Sequence, residues 1–208
     1  MASLPNEGCE AERVESMIAG HFGFAAIVKS RETRVPLWAL MLATGWLDIV
    51  FVPLLVMKIE TIEPVPGAVG SYGGNIIDAD YTHSLLGALI VSSVFALFFV
   101  PRWGRRCAVV LGFVSFSHWL LDLVVHRRDM PLLPGNFGDL PRLGFGLWQF
   151  KTASVLVELL LVLLGAWCYW RAASDLTATV QKGRARATIA AGLILLGGVA
   201  VLAMDAMG

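Results

Sequence analysis

Apolar runs near the length of a bilayer crossing recur along this chain, and they constrain its fold more than any other feature. Crossing about 30 Å of hydrocarbon takes roughly 20 apolar residues in a helix. Runs at 35–57, 82–100, 107–125 and 147–170 meet that length, and a fifth at 187–204 is slightly short and glycine-rich. An earlier run, 14–28, holds Glu15 and His21 in apolar surroundings and reads as a span, a re-entrant dip or an interfacial helix. Hydrophobic residues make up 57% of the 208 and only 15% are charged, well outside the range of water-soluble domains. The expected fold is all-α, a polytopic transmembrane bundle of five or six helices in a single domain over 1–208.

Charge narrows the function classes. A net charge of +0 leaves no basic footprint, so nucleic acid is not an expected partner. Glu7, Glu10, Glu12 and Glu15 outnumber Arg13 at the start, the reverse of a signal peptide, and no cleaved signal is expected. Cys9, Cys107 and Cys168 share no metal-like spacing and receive no role.

Positive residues stay on the cytoplasmic side of a membrane. If 14–28 spans, that side collects Lys29, Arg31, Arg34, Arg102, Arg105, Arg106, Arg171, Lys182, Arg184 and Arg186. The outer side is left with Arg13, Lys58, Arg127, Arg128, Arg142 and Lys151. Two long connections, 60–81 and 127–146, then lie outside; both are rich in Gly and Pro, and long loops of this kind commonly carry function. A site is therefore expected to open on the outer face.

Within the 107–125 run, His118 and Asp122 stand at i and i+4, followed by His126 at i+8, on one helical face that drifts only about 40° per step. Ionisable groups inside a span are costly and mark a site by default. At about 1.5 Å per residue, His21 and His118 lie about 10 Å below the outer boundary, Asp48 about 13 Å and Glu158 about 16 Å, with His83 and His126 at the rim. Imidazole with carboxylate from several helices is how bundles build divalent metal sites, zinc among them, and one or two cations would neutralise the buried carboxylates.

Each candidate also has a plainer reading. His21, beside Gly20 and Gly23, reads equally as a packed core residue. Glu158 reads as a general base or as the partner of a loop cation such as Lys151. Asp78 and Asp80 read as groups reaching down from the loop, with Asp80 first an N-cap for a helix from Thr82. Arg127 and Arg128 read as a phosphate grip or as snorkelling boundary residues. Trp38, Trp46, Trp119, Trp148, Trp167 and Trp170 read as interface and packing residues.

The stretch Gly20-His21-Phe22-Gly23-Phe24, then Pro36-Leu37-Trp38 with Ala43-Thr44 and Asp48, then Thr82-His83-Ser84 and His118-x-x-x-Asp122, resembles the bacterial membrane-bound metal-dependent hydrolase family. That family is distantly similar to the zinc-dependent phospholipase C and single-strand nuclease superfamily. The resemblance implies a bacterial inner-membrane protein with His21, Asp48, His83, His118 and Asp122 as metal ligands and His126 as an additional one. This chain departs from the family pattern after Asp122, where Val125-His126-Arg127-Arg128-Asp129 replaces a short glycine-bearing turn.

The leading expectation is a hydrolase acting on a lipid or lipid-linked phosphoester near the outer face. Asp80 or Glu158 would serve as base, and Arg127 and Arg128 would meet the headgroup. The competing readings are a proton- or cation-coupled transporter using Asp48, His118, Asp122 and Glu158, and a non-catalytic membrane assembly protein whose polar layer only joins helices.

Overall fold

The computed structural model describes residues 18–65 and 74–207, which are mainly helical, with one small hairpin and a long irregular connection at 126–150. Residues 14–17 of the first run, the acidic stretch before them with Arg13 and Cys9, and the loop residues Pro66, Gly67, Gly70 and Gly73 lie outside the described residues. The helices are α1 (Ile18–Arg31), α2 (Leu37–Thr44), α3 (Trp46–Val56), α4 (Leu85–Val125), α5 (Lys151–Leu176) and α6 (Gly183–Met207). Between α3 and α4, strand β1 (Thr61–Pro64) pairs antiparallel with β2 (Asn75–Asp78), Thr61 opposite Asp78 and Pro64 opposite Asn75. An all-α expectation missed this hairpin because each strand is only four residues long.

Among the described residues three helices are long and apolar enough to cross a membrane: α4, α5 and the 183–205 part of α6. The bent pair α2 and α3, at 44° to each other, would make a fourth if it counts as one crossing. This is fewer than the five or six spans expected. The described part of α1 has 14 residues, about 21 Å of helix. The expected helix over 35–57 is broken at Gly45, and Pro53 removes a further backbone donor from its second piece.

Helix α4 is not straight. Gly104 has φ +77 and ψ 168, which only glycine adopts at little cost, and Pro101 lies one turn earlier. Ser92 Oγ donates to Ser115 Oγ at 3.0 Å, and Gly112 abuts Ala96 and the Ser92 carbonyl. In a straight helix residues 92 and 115 would stand about 35 Å apart. Residues 105–125 therefore double back antiparallel on 85–103, so that His83, just before the first arm, meets His118 on the second. The first arm starts at Leu85 with Ser84 as its N-cap, whose Oγ accepts the Gly87 N–H at 3.0 Å. The helix thus does not begin at Thr82, and Asp80 is not its cap.

Close packing fixes α1 against α5. A Cβ on Gly23 would sit 2.4 Å from the Leu161 carbonyl oxygen, and one on Gly165 2.3 Å from the Gly23 oxygen, so the two backbones nearly touch. Helix α2 packs Leu40 and Ala43 against Phe95, Phe99 and Leu111 of α4. The outer surface is apolar, with Leu97, Phe98, Leu156, Leu160, Leu193 and Leu196 exposed along α4, α5 and α6. Water would penalise such a surface, whereas hydrocarbon accepts it.

Candidate metal centre

The packing draws five ionisable side chains from four segments into one cluster. His21 comes from α1, Asp48 from the first turn of α3, His83 from the approach to α4, and His118 and Asp122 from the second arm of α4. His21, His83, His118 and Asp122 are buried, whereas the Asp48 side chain is 31% exposed. Two triads, His21 with His118 and Asp122, and Asp48 with His83 and His118, each bring one ligand atom per residue to within 4.8 Å of the others. Either triad could hold a metal ion, and His118 belongs to both.

Hydrogen bonds on the far side of two rings set the protonation of the near side. His118 Nδ1 lies 2.7 Å from the Thr44 carbonyl oxygen, which can only accept, so the ring proton sits on Nδ1. Thr44 ends α2 at the break, and the same break that bends the helix supplies the carbonyl that orients His118. His83 Nδ1 lies 2.8 Å from Thr82 Oγ1, whose hydroxyl is in turn 3.0 and 3.1 Å from the carboxylate oxygens of Glu60. The hydroxyl proton goes to Glu60, its lone pair accepts from His83, and His83 too carries its proton on Nδ1. Both Nε2 atoms then present lone pairs to the cluster, the arrangement metal ligation requires.

What those lone pairs face is decisive. His118 Nε2 lies 3.0 Å from Asp122 Oδ2, 3.3 Å from Asp48 Oδ1 and 3.4 Å from His83 Nε2. His83 Nε2 lies 3.5 and 3.6 Å from the same two carboxylates. Acceptors converge on acceptors in a buried space. A positive species, a proton or a metal ion, is needed between them. His21 Nε2, 3.4 Å from Asp122 Oδ1 and 3.3 Å from the His118 carbonyl oxygen, meets acceptors only, and so fits a ligand or an N–H clamp on Asp122.

The remaining candidates surround this cluster. His126 belongs to neither triad: its Nδ1 is 3.0 Å from Asp129 Oδ1, its ring packs 4.4 Å from that of Trp148, and it stands 6.5 Å from the His83 ring. Asp80 is gripped at both oxygens by Arg142, at 2.8 and 3.1 Å, which ties the β2 end to the 127–146 loop. Asp78 also reaches Arg142, at 3.4 Å. Glu158 is fully buried on α5 and accepts the Gly20 N–H at 3.4 Å, next to His21 in the chain, whereas Lys151 is exposed. Arg127 is partly buried and Arg128 exposed. Trp119 acts as more than packing, because its Nε1 donates to the His83 carbonyl at 2.8 Å.

Sequence reasoning missed Glu60, Thr82 and Arg142 as parts of this region. Thr82 stands in the Thr82-His83-Ser84 stretch without an assigned role, whereas the separations of Glu60 from His83 and of Arg142 from Asp80 follow no helical or motif spacing; the one available signal for Glu60 was a lone acidic residue where an apolar run meets a loop. Comparisons of the chain with family models, with curated proteins and with solved structures find no match in any of the three.

Proposed function

We propose that this protein is a membrane-embedded, metal-dependent hydrolase acting on a lipid or lipid-linked phosphoester, with its site toward the outer face of a bacterial inner membrane. The reading rests above all on the convergence of the His83 and His118 Nε2 lone pairs with the carboxylate oxygens of Asp48 and Asp122. The resemblance of the His and Asp order to the membrane-bound metal-dependent hydrolases supports it. Counting the two arms of α4 as separate crossings, and the α2–α3 pair as one, gives five spans with α5 and α6. The excess of Lys and Arg on the opposite side supports the orientation.

A divalent cation bound here, zinc by the chemistry of the donor set, would acidify a bound water and polarise a phosphoryl oxygen. His83, His118, Asp48 and Asp122 would hold it, and the Thr44 carbonyl and Thr82 hydroxyl keep the two rings in the tautomer that such binding needs. Asp122, reaching His21 with Oδ1 and both His118 and His83 with Oδ2, touches members of both triads. Asp48 is the one partly exposed member and shares its face of α3 with the exposed apolar Val52. An entrance beside an apolar face favours a substrate arriving from lipid. Of the bases expected, Asp80 is committed to Arg142, so taking a proton from entering water falls to Glu158. Arg127 and Arg128, one helix end away, are candidates for the headgroup charge.

The test is hydrolysis of a panel of glycerophospholipids, lipid-linked phosphoesters and carboxylic esters by detergent-purified protein loaded with zinc. Turnover in wild type that Asp122→Ala abolishes supports the reading. Full metal occupancy with no turnover across the panel overturns it.

A further inference from the structure

Glu60 is a buried carboxylate that the proposed chemistry does not use. It lies just before β1, 1% exposed, and its carboxylate accepts from one short segment, Tyr81-Thr82. Its Oε1 accepts the Tyr81 and Thr82 N–H groups, both at 2.8 Å, and both oxygens lie within 3.1 Å of Thr82 Oγ1. The cost of burying the carboxylate is offset by three donors. A purely structural clamp would need only the two amides. The hydroxyl adds a directional step, because its single proton is taken by Glu60 and its lone pair is thereby aimed at His83 Nδ1, 2.8 Å away.

We infer that Glu60 is a positioning residue that acts through Thr82 to hold His83 as the Nδ1–H tautomer, keeping its Nε2 lone pair on the metal centre. The inference rests on the metal-centre reading for its effect on binding, but the tautomer itself does not. His118 is held by a backbone carbonyl that no substitution removes, so Glu60 is the mutable control on the cluster. Glu60→Gln makes a specific change. The amide oxygen still receives the two backbone N–H groups, while its NH2 faces Thr82 Oγ1, which then donates its own proton to His83 Nδ1. The ring proton moves to Nε2, and a donor replaces the lone pair.

Two measurements test this on full-length protein in detergent: 15N NMR of the His83 ring in metal-free protein at a pH where it is neutral, and Zn2+ affinity by competition with a chromophoric chelator. Wild type is expected to show the proton on Nδ1 and Glu60→Gln the proton on Nε2. Glu60→Gln and Thr82→Val are expected to lose about 10–100-fold in Zn2+ affinity, whereas Thr82→Ser, which keeps the hydroxyl, stays near wild type. A wild-type His83 with its proton on Nε2 overturns the assignment even if no variant folds, as does Zn2+ binding by Glu60→Gln and Thr82→Val within twofold of wild type. If wild type binds no Zn2+ while Glu60→Gln still flips the ring proton, the hydrolase reading falls and the assignment of Glu60 stands.

Discussion

The two ends of helix α1 handle buried polarity in opposite ways. At its C-terminal end Lys29 Nζ donates to the carbonyls of Thr33 and Val35, at 2.9 and 2.8 Å, closing the turn into α2. Glu32 accepts the Arg34 N–H at 2.9 Å and pairs with Arg106 at 3.3 Å. The Lys29 ammonium, the Arg34 N–H and the Arg106 guanidinium each meet an acceptor there. About 12 Å along the same helix, His21 enters a cluster where acceptors meet acceptors. A polar group at the first end holds the fold together, whereas the second end is complete only with a cation in it. Burial alone does not separate the two; the balance of donors and acceptors does.

The largest effect expected from breaking this contrast is at the incomplete end. His118→Ala removes the residue common to both triads and Asp122→Ala the carboxylate that touches members of both, and each should lower metal affinity by more than about 100-fold. Thermal unfolding with and without added zinc reads the same difference. Ligand at 100 times its dissociation constant should stabilise wild type by about 2.7 kcal/mol, and the variants not at all. Next in size is the packing that brings the ends into register. Gly23→Val forces a side chain into the α5 backbone and should cost about 3 kcal/mol or more, seen as a lowered unfolding midpoint, with metal affinity falling as His21 shifts.

Smaller effects sharpen the comparison. Arg142→Met unties the two loops over the site but breaks a partly exposed ion pair, so about 1 kcal/mol or less of stability should go, while access to the cluster, read as the rate of metal removal by a chelator, should rise. The smallest effect belongs to the complete end. The Arg34 N–H, helped by Arg106, holds the Glu32 carboxyl below its ordinary value. A depressed folded pKa contributes stability that is present above the ordinary glutamate range and is lost as pH falls through the folded value. Wild type should therefore lose slightly more stability than Glu32→Gln on going from neutral to acid pH, with no difference between their metal affinities at neutral pH.

The residues of the cluster were legible in the sequence, while their supports were not. His118 and Asp122 declare themselves by helical spacing inside an apolar run, and depth along each run brings His21 and Asp48 near the level of His118, with His83 above them at the rim. Depth does not say which nitrogen of a ring carries its proton. That is set by the Thr44 carbonyl, a backbone group freed by a helix break at Gly45, and by Glu60 across a loop of no periodicity. The fold-back at Gly104 was visible as a gap between two apolar runs, though not as the single φ value that achieves it. Asp80 shows the same limit: it looked like a cap because acidic residues often are, and only the three-dimensional approach of Arg142 claims it instead.

The most direct test of the central claim is elemental analysis of detergent-purified protein after removal of adventitious metal, with His118→Ala and Asp122→Ala alongside. The account predicts about one or two equivalents of a divalent metal in wild type and none in either variant. Wild-type protein that is folded, metal-free and unchanged in stability by added zinc would contradict it, and would mean that the charge between His118, Asp48 and Asp122 is a proton.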